Sequence, residues 1–319
     1  MKEGAGSMIK AFFNVCLITI SLFFTVPCYA QQQPMFTQYM FNGLVLNPAY
    51  AGSQETFTAT ALLRKQWVGI EDAPQTQTFS AHSPLDNLRN NRRPDSKVSL
   101  GLTLFNDRIA ITDQTSVLAS YAYRLKLKNN ANLSLGLQAG FSQFRIKYSQ
   151  LALDDPSFSI GDIAEWQPDF GAGVYYQAER FYTGFSAPQM LRTNRNQNHS
   201  SRSVVPHYFL TMGYVFDRGH AFKLKPNVLI KSIKGNLFQL DINCNFFLYE
   251  IVNLGISWRS FESVGSMIQF QVHQRFVIGY AYDIPYGSEL SRLSNGSHEI
   301  MVNYSVPNKK QRTVSPRFF

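Results

Sequence analysis

From Glu55 onward the apolar and polar residues of this chain alternate one by one. Leu133, Leu135, Leu137, Ala139 and Phe141 interleave with Ser134, Gly136, Gln138, Gly140 and Ser142. Phe238, Leu240, Ile242, Cys244, Phe246 and Leu248 interleave with Gln239, Asp241, Asn243 and Asn245. A strand turns successive side chains to opposite faces, so each segment has one greasy and one polar side; a helix would scatter the same residues around its circumference. Fourteen such segments are predicted, starting near residues 55, 75, 97, 114, 131, 168, 181, 206, 221, 236, 251, 264, 274 and 297. Most run about 8 to 13 residues, close to the 9 to 11 that cross a bilayer at a tilt. An even number of strands suits an up-and-down antiparallel barrel with both ends on one side, and closure removes the edges that lipid would not tolerate.

A soluble β-sandwich or lipocalin-like barrel would show the same alternation. Composition separates the two. Aromatic residues reach 14% and charged residues only 16%, against roughly 25% charged in soluble domains. The mean hydropathy of −0.17 is what an apolar exterior and a polar lumen give when averaged. The predicted fold is therefore an all-β transmembrane β-barrel of about fourteen strands over residues 55–306.

The connections agree. If both ends of the barrel chain are periplasmic, the outside loops include the long gaps 145–167, 188–205 and 284–296. The inside turns are mostly tight, as at Glu179-Arg180 and Tyr249-Glu250. Long outside and short inside is the outer-membrane pattern. The long basic connection from Pro84 to Ser96 falls inside and departs from it.

Ahead of the barrel, an apolar run from Ala11 to Val26 follows Lys10 and ends in Pro27-Cys28-Tyr29-Ala30. This has the form of a secretory signal, residues 1–30, cut before Gln31, and it is short for a membrane helix of about 20 apolar residues. Cys16 and Cys28 leave with it, so Cys244 remains alone and neither an intrachain disulfide nor a Cys-rich metal site is expected. No cofactor is expected either. The six histidines are scattered, with no HExxH or GxSxG pattern, which argues against an enzyme. The net charge of +9 forms no long basic run, and export makes nucleic acid an unsuitable partner.

Residues 31–54 do not alternate cleanly. They are rich in amides, aromatics and proline, with a turn favoured at Asn47-Pro48 and positive φ open to Gly52. The expectation is a periplasmic N-terminal lead-in that packs under or inside the barrel, with a docking strap or a lumen plug as the functional forms. Arg64 and Gln66 share the inward parity at the end of the first strand, and Trp67 takes the lipid-facing parity of an aromatic girdle.

The same stretch carries a resemblance. Gln38-Tyr39 with Asn42, then Asn47-Pro48-Ala49-Tyr50-Ala51-Gly52, then Arg64-Lys65-Gln66-Trp67 resemble the start of mature PorP/SprF-family proteins, of the form QY-x-x-N, NPA-x-AG and R-x-QW. Pro168-Asp169-Phe170-Gly171-Ala172-Gly173 and Gly184-Phe185-Ser186-Ala187-Pro188 look like the family's middle, and Ser315-Pro316-Arg317-Phe318-Phe319 like its end. The resemblance implies a non-enzymatic outer-membrane component of the type IX secretion and gliding apparatus of Bacteroidota. Such a protein binds periplasmic, peptidoglycan-associated components, anchors a secreted adhesin with a C-terminal sorting domain at the cell surface, or does both. A diffusion porin or solute-uptake barrel is the alternative.

Candidate contact residues follow from sidedness. Arg89, Arg92 and Arg93 lie in the long inside connection, on the same side as the basic C-terminal tail, residues 307–319, and offer a positive surface to a periplasmic partner. Asp154, Asp155, Arg192 and Arg195 lie in the two longest outside loops, where an adhesin would be met. Outer-membrane lipid is the remaining partner. Arg124, Lys223, Lys225, Lys231, Asp241 and Arg259 have lumen parity, a basic excess that would favour anions in an open pore. A lumen filled by side chains and loops is the preferred expectation.

Overall fold

The structure, a computed structural model, describes residues 35–85, 97–150, 161–190, 206–217, 219, 221–233, 237–287 and 289–306. The expected signal, residues 1–30, and the C-terminal tail, 307–319, lie outside the described residues. Fourteen antiparallel staves make the wall. They are β1 (Thr58–Lys65), β2 (Gln75–Pro84), β3 (Val98–Ile109), β4 (Thr112–Lys126), β5 (Asn132–Ile146), β6 (Ile163–Gln177) and β7 (Phe181–Ala187), followed by β8 (His207–Tyr214). Then come β9 (Phe222–Ile233), β10 (Leu237–Leu248), β11 (Val252–Arg259), β12 (Ser263–His273), β13 (Phe276–Pro285) and β14 (Ser297–Ser305). The eighth stave is interrupted at Val215 and resumes at Phe216–Asp217, still paired with β9. Each strand pairs with the next, and β14 pairs with β1 from Thr58↔Ser305 to Lys65↔His298, so the sheet closes on itself.

The starts expected from periodicity fall close to the observed ones. The largest difference is β6, which begins at Ile163, well before Pro168. Proline in a strand reads as a boundary because it lacks a ladder donor. Pro168 keeps its register opposite Phe141 on β5, and its missing donor falls on the other edge, where β7 pairs only from Ala172 onward.

The alternation has the physical cause expected. Leu137, Phe141, Phe170, Ile256 and Ile278 face outward and are exposed, whereas Ser134, Gln138, Ser142, Asp169 and Asn243 face inward and are buried. An exposed apolar band wrapped around a buried polar interior reverses a soluble core, and it fits a wall whose exterior meets lipid. No helix among the described residues is long and apolar enough to cross a membrane; the chain crosses with strands. The protein is an outer-membrane β-barrel. The termini of the described barrel, Thr58 and Ser305, share one end with the tight turns at 178–180, 249–251 and 274–275. The connections at 66–74, 147–162, 188–206 and 286–296 share the other end, with 85–97 the one long connection at the first, so the first end is inner and the second outer.

Candidate functional site: a lumen filled by its own chain

The segment expected as a periplasmic lead-in lies inside the barrel. Its short turns, Tyr39–Phe41, Gly43–Leu46 and Pro48–Tyr50, are too brief to be stable alone, and the wall holds them. Met35, Phe36, Tyr39, Leu44, Leu46, Ala49 and Tyr50 are all buried. They form the apolar centre of a lumen that is otherwise lined with polar side chains.

The segment descends from the outer end to the inner one. Near the outer end, the backbone N–H groups of Thr37 and Gln38 donate to the two carboxylate oxygens of Glu299 on β14, at 2.9 and 2.8 Å. Arg64 on β1 reaches the same carboxylate at 3.1 Å and Asp283 on β13 at 2.9 Å, and it donates to Thr37 Oγ1 at 2.8 Å. Midway, Asn42 donates to Thr78 Oγ1 and accepts from Ser80, both on β2. Lower down, Asn47 Nδ2 donates to the Val174 carbonyl at 3.0 Å, Asn47 Oδ1 caps the next turn by accepting from Ala49 N at 2.9 Å, and Ser186 donates to the Leu46 carbonyl. At the inner end, Gly52 N donates to His82 Nδ1, Arg124 donates to the Gly52 carbonyl, and Arg124 pairs with Glu55. Buried amides and carbonyls must find partners, and here the strands supply them.

The wall also makes room. A Cβ on Gly136 of β5 would overlap the backbone of Ala49, so only glycine admits so close an approach. Gly52 takes φ +75 against Ser99, the left-handed turn through which the segment leaves toward β1. Tyr50 stands edge-on to both His82 and Tyr175. The void left among Tyr39, Tyr50, Tyr175 and Tyr182 is about 20 Å³, close to one water.

Much of the basic excess expected from parity is paired. Arg259 pairs with Asp241 and with Glu262, both at 2.9 Å, and Lys223 pairs with Glu250 at 2.7 Å and Asp217 at 3.8 Å. Lys225 lies over the rings of Phe41 and Tyr182. Burial pushes the Glu262 carboxyl up, but the charges of Arg259 and Arg64 and the hydrogen bonds from Arg259 and Gln239 together hold it below its ordinary value.

Of the residues singled out in the sequence, Gln38, Tyr39, Asn42, Asn47, Pro48, Ala49, Gly52 and Arg64 converge on this plug and its clasps. Gln66 and Trp67 do not. Both lie beyond the end of β1, so strand parity does not apply to them. Gln66 N donates to the Pro74 carbonyl. Trp67 is half-buried with φ +48, and its backbone N–H donates to Ser297 Oγ. Arg89, Arg92, Arg93, Asp154, Asp155, Arg192 and Arg195 lie outside the described residues. Sequence reasoning missed Asp283 and Glu299, although both stand at inward positions of their strands and parity could have found them. No group of His, Cys, Asp and Glu able to hold a metal ion occurs among the described residues.

Comparison with known proteins places this geometry in context. The family described as "Type IX secretion system membrane protein PorP/SprF" matches residues 28–304. No curated protein sequence matches. Among solved structures, a Pseudomonas aeruginosa FadL homologue is similar at 11% identity and a TM-score of 0.46, over 86% of this chain and 95% of that one. The Ralstonia pickettii toluene transporter TbuX is similar at 8% identity and a TM-score of 0.49, over 83% and 93%. The monoaromatic hydrocarbon channel CymD is similar at 11% identity and 0.48, over 84% and 93%.

Proposed function

The chain belongs to the PorP/SprF family of type IX secretion system membrane proteins, and from that premise we propose that it acts by binding, as a closed outer-membrane fixture of the secretion and gliding apparatus. Its inner face meets the periplasmic, peptidoglycan-associated components, and its outer loops hold a secreted adhesin through that protein's C-terminal sorting domain. The observation that carries this reading is the filled lumen. A segment of the chain runs the height of the barrel and is clasped near both ends, at Glu299 and at Arg124. A solute path would need that segment to leave, whereas a fixture needs a rigid wall with fixed faces. Arg89, Arg92 and Arg93 are the proposed periplasmic contacts, and Asp154, Asp155, Arg192 and Arg195 the proposed surface contacts.

Two measurements on the same preparation test it. The purified barrel in planar bilayers should show no steady conductance, and extraction from native membranes should bring down a periplasmic component or an adhesin carrying a sorting domain. Steady channels with no co-purifying protein would turn the assignment to a diffusion porin.

A further inference from the structure

The plug does not fill the lumen evenly. Near the outer end it is held by Asp283 and Glu299 on β13 and β14, and lower down it lies against β2–β7, where Thr78, Gly136 and Ser186 receive it. Against the inner ends of β10–β14 it leaves a recess of about 100 Å³, with Phe41 of the plug among its walls. Phe247 and Met301 add apolar surface, and Asn253, Gln271, Gln274 and Asn303 add neutral amides. Glu250, a carboxylate on the recess wall, is bonded to Lys223. Asn253 is 4% exposed and donates to Asn245 and Gln269, and its Oδ1 has no donor among the described residues.

We propose that this recess is a docking socket for an extended, uncharged segment of a periplasmic protein, which seats one large apolar side chain against Phe41, Phe247 and Met301. The proposal rests on the periplasmic half of the reading above and names the site and the chemistry of its partner. Three features select a peptide. Phe41 of the plug forms part of its wall, so a side chain entering from the inner end meets the plug. Its rim is built of primary amides, which donate and accept as a peptide group does and so match the backbone on either side of a buried anchor. Its volume suits a single side chain, and an apolar anchor in a small pocket with a polar rim is the usual centre of a protein interface.

The test uses the full-length protein in its native outer membrane. p-Benzoylphenylalanine at position 274 is irradiated in cells, and the adduct is sequenced by mass spectrometry. The expected adduct is a periplasmic protein joined through an uncharged stretch with a Leu, Met or Phe at the point of attachment. Val277→Trp, which fills the recess from β13, should cut that adduct at least tenfold and reduce co-purification of the same protein, with the heat-modifiable mobility of the folded barrel retained. Adducts only to lipid, to glycan or to the chain's own residues 307–319 would overturn the socket, as would an adduct and co-purification unchanged by Val277→Trp. If no periplasmic protein co-purifies even with the unaltered barrel, the periplasmic reading fails and takes the socket with it. If one co-purifies equally with the filled variant, the socket alone fails.

Discussion

Arg64 and Glu299 face each other in register across the seam where the first strand meets the last, and their charged groups lie 3.1 Å apart with almost no exposure. The same Glu299 carboxylate accepts the backbone N–H groups of Thr37 and Gln38. One side chain therefore fastens the plug and zips the barrel. The two events are coupled, because the plug supplies donors that help hold an ionised carboxylate in a buried site, and the carboxylate fixes the plug's entry.

Removing that carboxylate should destabilise far more than an ordinary surface charge. Glu299→Ala leaves Arg64 short of a partner and the Thr37 and Gln38 amides without acceptors. A loss of about 3 kcal/mol is expected, at the lower end for breaking a buried pair. Urea titration of the barrel folded in liposomes measures it, and Arg64→Met with Glu299→Met together should lose less than the sum of the two single changes.

Asn47 makes two contacts of different kind, and substitution separates them. Asn47→Asp keeps the acceptor for Ala49 N but sets a carboxylate against the Val174 carbonyl; Asn47→Ala loses both. Each should lower stability by about 1 to 3 kcal/mol. Hydrogen exchange at Ala49 should rise in the alanine variant and stay protected in the aspartate variant if the cap survives.

Gly136 tests whether the wall is shaped for the plug. Gly136→Val places a branched side chain where the Ala49 backbone runs. Overpacking of this kind costs about 1 to 3 kcal/mol or more. The amides of Asn47 and of residues 49–51 should lose protection while the strands keep theirs, and deletion of residues 35–54 should give measurable conductance in planar bilayers. A deletion variant that folds and remains non-conducting would show that the lumen is blocked by something else.

Ile256 tests the lipid-facing wall. It sits in the middle of β11 and is 59% exposed. Ile256→Lys should lower folding stability in bilayers by about 2 to 4 kcal/mol, whereas Ile256→Leu should be close to neutral. Equal stabilities for the two would argue that this face does not meet hydrocarbon.

Much of this is legible in the sequence. The greasy parity of β5 and β10 faces outward because lipid lies on one side of the wall and polar lumen on the other, and a strand cannot satisfy both without alternating. Long and short connections likewise tell the two ends apart. The plug was less legible. Tyr39–Phe41 and Pro48–Tyr50 are single turns with no periodicity of their own, and Asn42 and Asn47 read as loop amides until their partners on β2 and β6 are known.

Sequence alone determined the wall: its fourteen staves, its sidedness and its apolar exterior, all of which follow from a local rule repeated along the chain. Tertiary structure decided what the wall encloses. Glu299 meets Thr37 across 262 residues, and Gly136 makes room for Ala49. Such pairings depend on register and closure around the whole ring, which bring together residues that no local pattern connects.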